Sequence, residues 1–189
     1  MTKSCANGKN SMGDALSMGS DKQDQKVDKD LEEEFDQYEF KDPVDILSKY
    51  GENWCDKVMK AEKWSEKKSL VEEFIKKATD AIKILPHNNT HNLITLAKRL
   101  QENSNMAVQV CGIKIIACLA KTLRKNLTFG VKNLFTHMLT KLKERKQIAN
   151  EALECLNLLL YTGSPEDIQE ELCLVFNERK TSLDCKLNI

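Results

Sequence analysis

The stretch SEKKSLVEEFIKKATDAIK, residues 65–83, decides the fold. Leu70, Val71, Phe74, Ile75, Ala78 and Ile82 recur at helical spacing, while Glu66, Lys67, Lys68, Glu72, Glu73, Lys76, Lys77 and Asp80 fill the other side. This is the single apolar stripe of an amphipathic helix, without the alternation that a half-buried strand requires. Such a stripe has to be buried against neighbouring elements, and the flanking sequence supplies them.

Upstream, residues 52–61 read as a short helix. Downstream, Pro86 and Asn88-Asn89 break the pattern, and Thr90 is placed to N-cap a helix over 91–102. Ser104 or Asn105 caps the next, about 105–125, lined by Val108, Cys111, Ile115, Leu119 and Leu123. Thr128 opens another, with Val131, Leu134, Phe135, Met138 and Leu142 on its buried face. The basic link Glu144-Arg145-Lys146 leads into 147–161, where Ile148, Ala152, Cys155, Leu156 and Leu159 repeat the spacing. Ser164-Pro165-Glu166-Asp167 joins an N-cap, Pro at the first helical position and two acids, and predicts a helix over 165–177. A last helix starts near Thr181 or Ser182.

These helices form pairs. First members start near 52, 91, 128 and 165 and second members near 65, 105, 147 and 181, a period of about 40 residues, as in HEAT and armadillo arrays. Each pair has an apolar face that only stacking can bury, so the sequence predicts an all-α HEAT-repeat solenoid of about four pairs, the last incomplete. An ordinary helical bundle would not require that regularity.

Composition agrees. Hydrophobic residues make up 41% of the 189, enough for a core, while 7 Gly and 3 Pro are too few for the many turns of an all-β fold. Residues 1–40 hold five Lys against ten Asp and Glu, a net of −5, which leaves 24 basic and 19 acidic residues, +5, for the remainder. We therefore divide the chain into a disordered acidic tail, 1–35, too poor in large apolar groups to fold, and a domain over 36–189. Phe35, Tyr38, Phe40, Val44, Ile46 and Leu47 form the first apolar cluster, placed to pack on the domain's end.

Several functions are disfavoured. A net of +5 suits an acidic partner but is weak for nucleic acid. The N-terminus lacks the apolar segment of a secretion signal, and no run of 18 apolar residues predicts a membrane span. Seven scattered Cys without a CxxC pair read as reduced intracellular thiols, with Cys111 and Cys118 as core residues. His87 and His91 stand four apart across a helix start with no further ligand nearby, so no metal site is expected, and nothing suggests a cofactor or a catalytic residue.

The turns inside the pairs fall on one edge of a solenoid. Here they are Ala61–Ser65, Gln101–Asn105, Lys143–Lys146 and Asn177–Lys180, and three of the four carry Lys or Arg. The first also presents Trp64 among charges, an unusual place for a residue that seeks burial. Either Trp64 folds back as a cap on its own pair, or it anchors a partner, as Trp and Arg often do at interfaces.

The sequence Asp42-Pro43-Val44-Asp45-Ile46-Leu47-Ser48-Lys49, followed by Lys63-Trp64-Ser65-Glu66-Lys67-Lys68, resembles the start of a TOG domain of the ch-TOG/Minispindles microtubule polymerases, most nearly their second TOG domain. Asn103-Ser104-Asn105-Met106, Leu142-Lys143-Glu144-Arg145-Lys146 and Ser164-Pro165-Glu166-Asp167 resemble the later repeats in order. The resemblance implies a flat HEAT paddle that binds the αβ-tubulin heterodimer, or a microtubule plus end, through its intra-repeat turns, in the cytoplasm, at microtubules, spindle and centrosome. It implies that Trp64, Lys67 and Lys68 meet β-tubulin with Asn105 beside them. Arg145 and Lys146 would approach α-tubulin, with Lys180 in line on the fourth turn.

Some residues depart from the family pattern. Lys67 stands where Arg is common, Gln147 replaces a Pro, and Asn177–Lys180 match poorly. The family's domain has six repeats whereas this chain ends within the fourth, which predicts a shortened domain. The rival reading is a HEAT scaffold that has lost tubulin affinity and binds another protein.

Overall fold

The computed structural model describes residues 37–127 and 130–162, together with Gln169 and Cys173. The chain divides into two compact units, Met1–Glu39, of which residues 37–39 are described and helical, and Phe40–Ile189, which carries the helical array. The expectations for residues 1–35 and for the fourth helix pair, with Lys180, lie outside the described residues.

Among the described residues six α-helices follow in order: α1 (Glu52–Lys60), α2 (Trp64–Ala81), α3 (Asn89–Gln101), α4 (Met106–Leu123), α5 (Val131–Lys141) and α6 (Lys146–Thr162). They form three pairs that repeat every forty residues or so, as the apolar periodicity predicts. The second members α2, α4 and α6 pack side by side in one layer with α4 at the centre, and α1, α3 and α5 each pack on their own partner. This is the all-α HEAT solenoid, traced here over three pairs.

Burial follows the predicted stripes. Val71, Phe74 and Ala78 of α2 are fully buried, as are Val108, Ile115, Leu119 and Leu123 of α4, with Cys111 nearly so. Leu134, Phe135 and Met138 of α5 and Ile148, Ala152, Cys155, Leu156 and Leu159 of α6 complete the core. Each such aliphatic or aromatic side chain contributes about 1.5–3 kcal/mol by leaving water. Exposed ion pairs such as Lys60–Asp56 and Lys68–Glu72, both at 3.5 Å, add little beside that because solvent screens them. Central α4 is apolar enough over Met106–Asn126 to cross a bilayer, but 67% of that window is buried inside the protein. Its hydrophobicity is explained by neighbours on three sides, α2, α3 and α6.

Gly112 sets how closely α3 and α4 approach. A Cβ built there would stand 2.4 Å from the Ala97 carbonyl oxygen and 2.8 Å from Gln101 Cγ. Only glycine fits, which explains a helix-weakening residue in the middle of the most buried helix.

Several helix ends differ from the sequence reading. Thr90 is not an N-cap: α3 begins at Asn89, and the Thr90 hydroxyl donates to the His87 carbonyl at 2.7 Å instead of accepting from the helix. Asn89 Nδ2 reaches back to the Leu47 carbonyl at 2.8 Å, tying the helix start to the short 3-10 turn Leu47–Lys49. His91, where the sequence placed the helix start, lies in the first turn of α3, two residues further in than predicted. Of the two proposed caps for α4, Asn105 is the one used, its Oδ1 accepting from Ala107 N at 2.9 Å. α5 starts at Val131 after Gly130, whose φ of +72° is free of cost only for glycine; Thr128 lies outside the described residues.

The leading apolar cluster is only partly consumed. Leu47 is buried and Ile46 packs on the core, but Phe40 is 89% exposed and Val44 half-exposed. Val44 contributes its backbone, forming an isolated parallel bridge with Ile84.

Candidate functional site

The second-layer helices run in the same direction. Ile84 N, just beyond α2, donates to the Thr122 carbonyl at the end of α4; Lys114 of α4 pairs with Glu151 of α6 at 3.4 Å, and Lys121 and Leu158, seven residues further along each, line the same groove. The starts of α2, α4 and α6 therefore share one edge, with the three intra-pair turns between them. The sequence placed the candidate residues on that edge, and the structure brings Trp64, Asn105, Arg145 and Lys146 to it.

At the first turn, Trp64 is the first residue of α2 and not a mid-turn residue, with Lys63 as an N-cap that offers no side-chain acceptor. Its side chain is 51% exposed. Trp54, by contrast, sits among Tyr50 at 4.9 Å and Phe74 at 5.7 Å in an aromatic cluster under α1 and α2. Phe74 stands ten residues along α2 from Trp64, so the two tryptophans occupy separate places, Trp54 in the aromatic cluster and Trp64 at the intra-pair edge. Beside Trp64 opens a cleft of about 650 Å³ lined by Asn53, Asp56, Lys57, Lys60, Glu62 and Lys63.

Lys67, one turn into α2, points back. Its Nζ donates to the Met59 carbonyl at 2.6 Å, in the last turn of α1. Lys68 faces outward and pairs loosely with Glu72.

The second turn is internally cross-linked. Asn103 Oδ1 accepts from Asn105 N at 2.9 Å, and Gln109 Nε2 donates to the Asn103 carbonyl at 2.6 Å. Asn105 is half-buried and already spends its oxygen on capping α4. In the third turn Lys143, Arg145 and Lys146 are exposed, Lys146 opening α6, while Lys141 is held by Glu144 at 2.6 Å.

The shifted thiols lie elsewhere: burial pushes Cys155 up to about 12, and burial with the Asp56 charge pushes Cys55 up to about 11. Both stay protonated near neutral pH and behave as small apolar groups. His137 of α5, bonded to Gln101 Oε1 at 3.0 Å, is held below the usual histidine range by burial and then by Lys141 and Lys98. Among the described residues no group of three potential metal ligands occurs.

The sequence reading missed the Lys67 bond, the Gly112 contact and the Lys114–Glu151 tie. A glycine alone inside an apolar helix was a usable signal for the second; the other two depend on the distance between helices and left none.

A two-layer array of HEAT pairs with a half-exposed Trp and exposed basic residues along its intra-pair edge defines a TOG-type domain. Comparison supports this class directly. A chain from a solved structure on microtubule plus end tracking by XMAP215, CLIP-170 and EB1 superposes with a TM-score of 0.64 at 26% identity, covering 77% of this chain and 59% of that one. Protein MOR1 of rice is 38% identical over 120 residues, and that of Arabidopsis thaliana 36% over 140, 64% and 69% of this chain. Protein mini spindles of Drosophila melanogaster is 30% identical over 152 residues, 80% of this chain. No protein-family profile matches the chain. The chain belongs to the ch-TOG/Minispindles family through this TOG domain. It spans 6–7% of the length of these three relatives.

Proposed function

We propose that the domain binds the αβ-tubulin heterodimer, free or at a microtubule plus end, without catalysis, and so contributes to microtubule dynamics and spindle organisation in the cytoplasm. The observation that carries this reading is the half-exposed Trp64 on one edge with Arg145 and Lys146. A large aromatic in a charged surround is the usual energetic centre of a protein interface, and a basic rim suits an acidic partner. The neighbours support it: the solved relative concerns microtubule plus end tracking, and a fission yeast relative, 25% identical over 137 residues, is a spindle pole body component.

In this reading Trp64, Lys67, Lys68 and Asn105 form the β-tubulin side, Arg145 and Lys146 the α-tubulin side, and Lys180 extends the line. The domain is taken as 36–189, of the second TOG type on the Asp42-Pro43-Val44 and Lys63-Trp64 motifs. Size-exclusion chromatography of the purified chain with tubulin tests it. Co-elution in low salt that weakens as salt rises supports tubulin as the partner; separate elution at micromolar concentrations favours a HEAT scaffold for another protein.

A further inference from the structure

We infer that Lys67 is a positioning residue: its ammonium fastens the last turn of α1 to the first turn of α2 and thereby fixes how Trp64 is presented. This rests on the tubulin-binding reading of the edge.

The first turn needs such a fastening. The last carbonyls of a helix have no intrahelical donor. At the end of α1 the Lys57 carbonyl is taken by Ala61 N at 3.2 Å, and the Met59 carbonyl by Lys67 Nζ, eight residues further on. A cation there also meets the negative end of the α1 dipole. The start of α2 is otherwise weakly defined: Lys63 brings no side-chain cap, and Glu66 N and Lys67 N both return to its carbonyl, at 3.1 and 3.2 Å. The second turn is the contrast, with Asn103, Asn105 and Gln109 making three side-chain bonds across it. At the first turn one ammonium does the work of those three.

Trp64 and Lys67 are three residues apart and share a face of α2, so pinning Lys67 pins the turn that carries the indole. Both lysines are half-buried, but Lys67 would have to leave a short charge-assisted bond to reach a partner, whereas Lys68 would give up only a 3.5 Å surface pair. Lys67 thus belongs to the support of the anchor, and Lys68 to the contact.

The test uses the full chain with Trp54→Phe, which leaves Trp64 as the single indole. Indole anisotropy, acrylamide quenching and tubulin affinity at several salt concentrations are measured for Lys67→Met, Lys67→Arg and Lys68→Met. Lys67→Met should lower Trp64 anisotropy and weaken tubulin binding by roughly tenfold, the scale of one charge-assisted hydrogen bond, with the salt dependence unchanged. Lys67→Arg, which keeps the donor, should restore both. Lys68→Met should flatten the salt dependence and leave the anisotropy alone. If Lys67→Met does not fold by circular dichroism, Lys67→Gln replaces it. Unchanged anisotropy in the mutant overturns the inference, as does weaker binding with a flattened salt dependence, which would make Lys67 a direct contact. If instead Trp64→Ala in the same background leaves affinity unchanged, the reading of this edge as the tubulin site anchored by Trp64 fails, and that result comes from a different variant.

Discussion

The two edges of the helical array are built differently. On the link edge, where one pair passes to the next, backbone is locked to backbone. Val44 N donates to the Lys83 carbonyl at 3.1 Å, Leu85 N to the Val44 carbonyl at 3.0 Å, and Ile84 N to the Thr122 carbonyl at 3.2 Å. The chain even accepts strain there. Ile82 has φ 62° and ψ −51°, with Lys83 N bonded to the Ala81 carbonyl at 2.6 Å, a γ-turn with positive φ at a β-branched residue. Arg124, which follows α4, also has positive φ, 46°. On the intra-pair edge backbone angles are ordinary, and exposed side chains take their place: Trp64, Arg145 and Lys146. The link edge holds the stack together, and under the proposed function the other edge is the one offered to a partner.

The comparison predicts first a large asymmetry in stability. Ile84 is fully buried at the link edge, so Ile84→Ala should cost about 2–5 kcal/mol, whereas Lys146→Ala should stay within about 0.5 kcal/mol. Urea titrations of the two variants measure the difference, and comparable losses would erase the distinction between the edges.

A smaller effect concerns binding alone. Replacing Arg145 and Lys146 together by Ala should weaken tubulin affinity by about 1 kcal/mol, mainly through slower association, and flatten its salt dependence. Stopped-flow mixing at two salt concentrations separates on-rate from off-rate. A loss confined to the off-rate would mean that these residues are buried in the interface and not on its rim.

The smallest effect is at Ile82. Its positive φ costs about 1–2 kcal/mol, against the burial lost on truncation and the extra unfolded-state entropy of glycine. Ile82→Gly should therefore change stability by less than about 1 kcal/mol, while the same substitution at Ile75, in the middle of α2, should cost several times more through lost packing and helix propensity. Thermal melts of the pair decide it. Equal losses would show that the Ile82 backbone carries no strain.

How far the sequence revealed this division follows from what each feature depends on. The core faces were legible because helical periodicity is a local signal: every predicted stripe residue of α4 and α6 is buried. Helix starts were read to within about three residues, the widest miss being 128 against Val131. The N-cap failed at Thr90, where Asn89 is claimed by the Leu47 carbonyl from 42 residues away. Ile82 could not be anticipated, since positive φ is signalled by Gly or Asn and a β-branched residue argues against it. On the functional edge, Trp64 was found because an indole among charges breaks the burial rule. Which of the two tryptophans joins the aromatic cluster with Tyr50 and Phe74 is a tertiary matter that composition could not assign. The role of Lys67 was hidden because the carbonyl it meets becomes a neighbour only after α1 and α2 fold back on each other.

The central claim is that the intra-pair edge is a binding surface with Trp64 at its energetic centre, and the affinity of Trp64→Ala for tubulin tests it most directly. Fluorescence titration of labelled tubulin with the parent chain and the variant would give both dissociation constants, with circular dichroism confirming equal helix content. The account predicts a loss of about 2 kcal/mol, roughly thirtyfold, with no loss of helix. Equal affinity for the two folded proteins would contradict it.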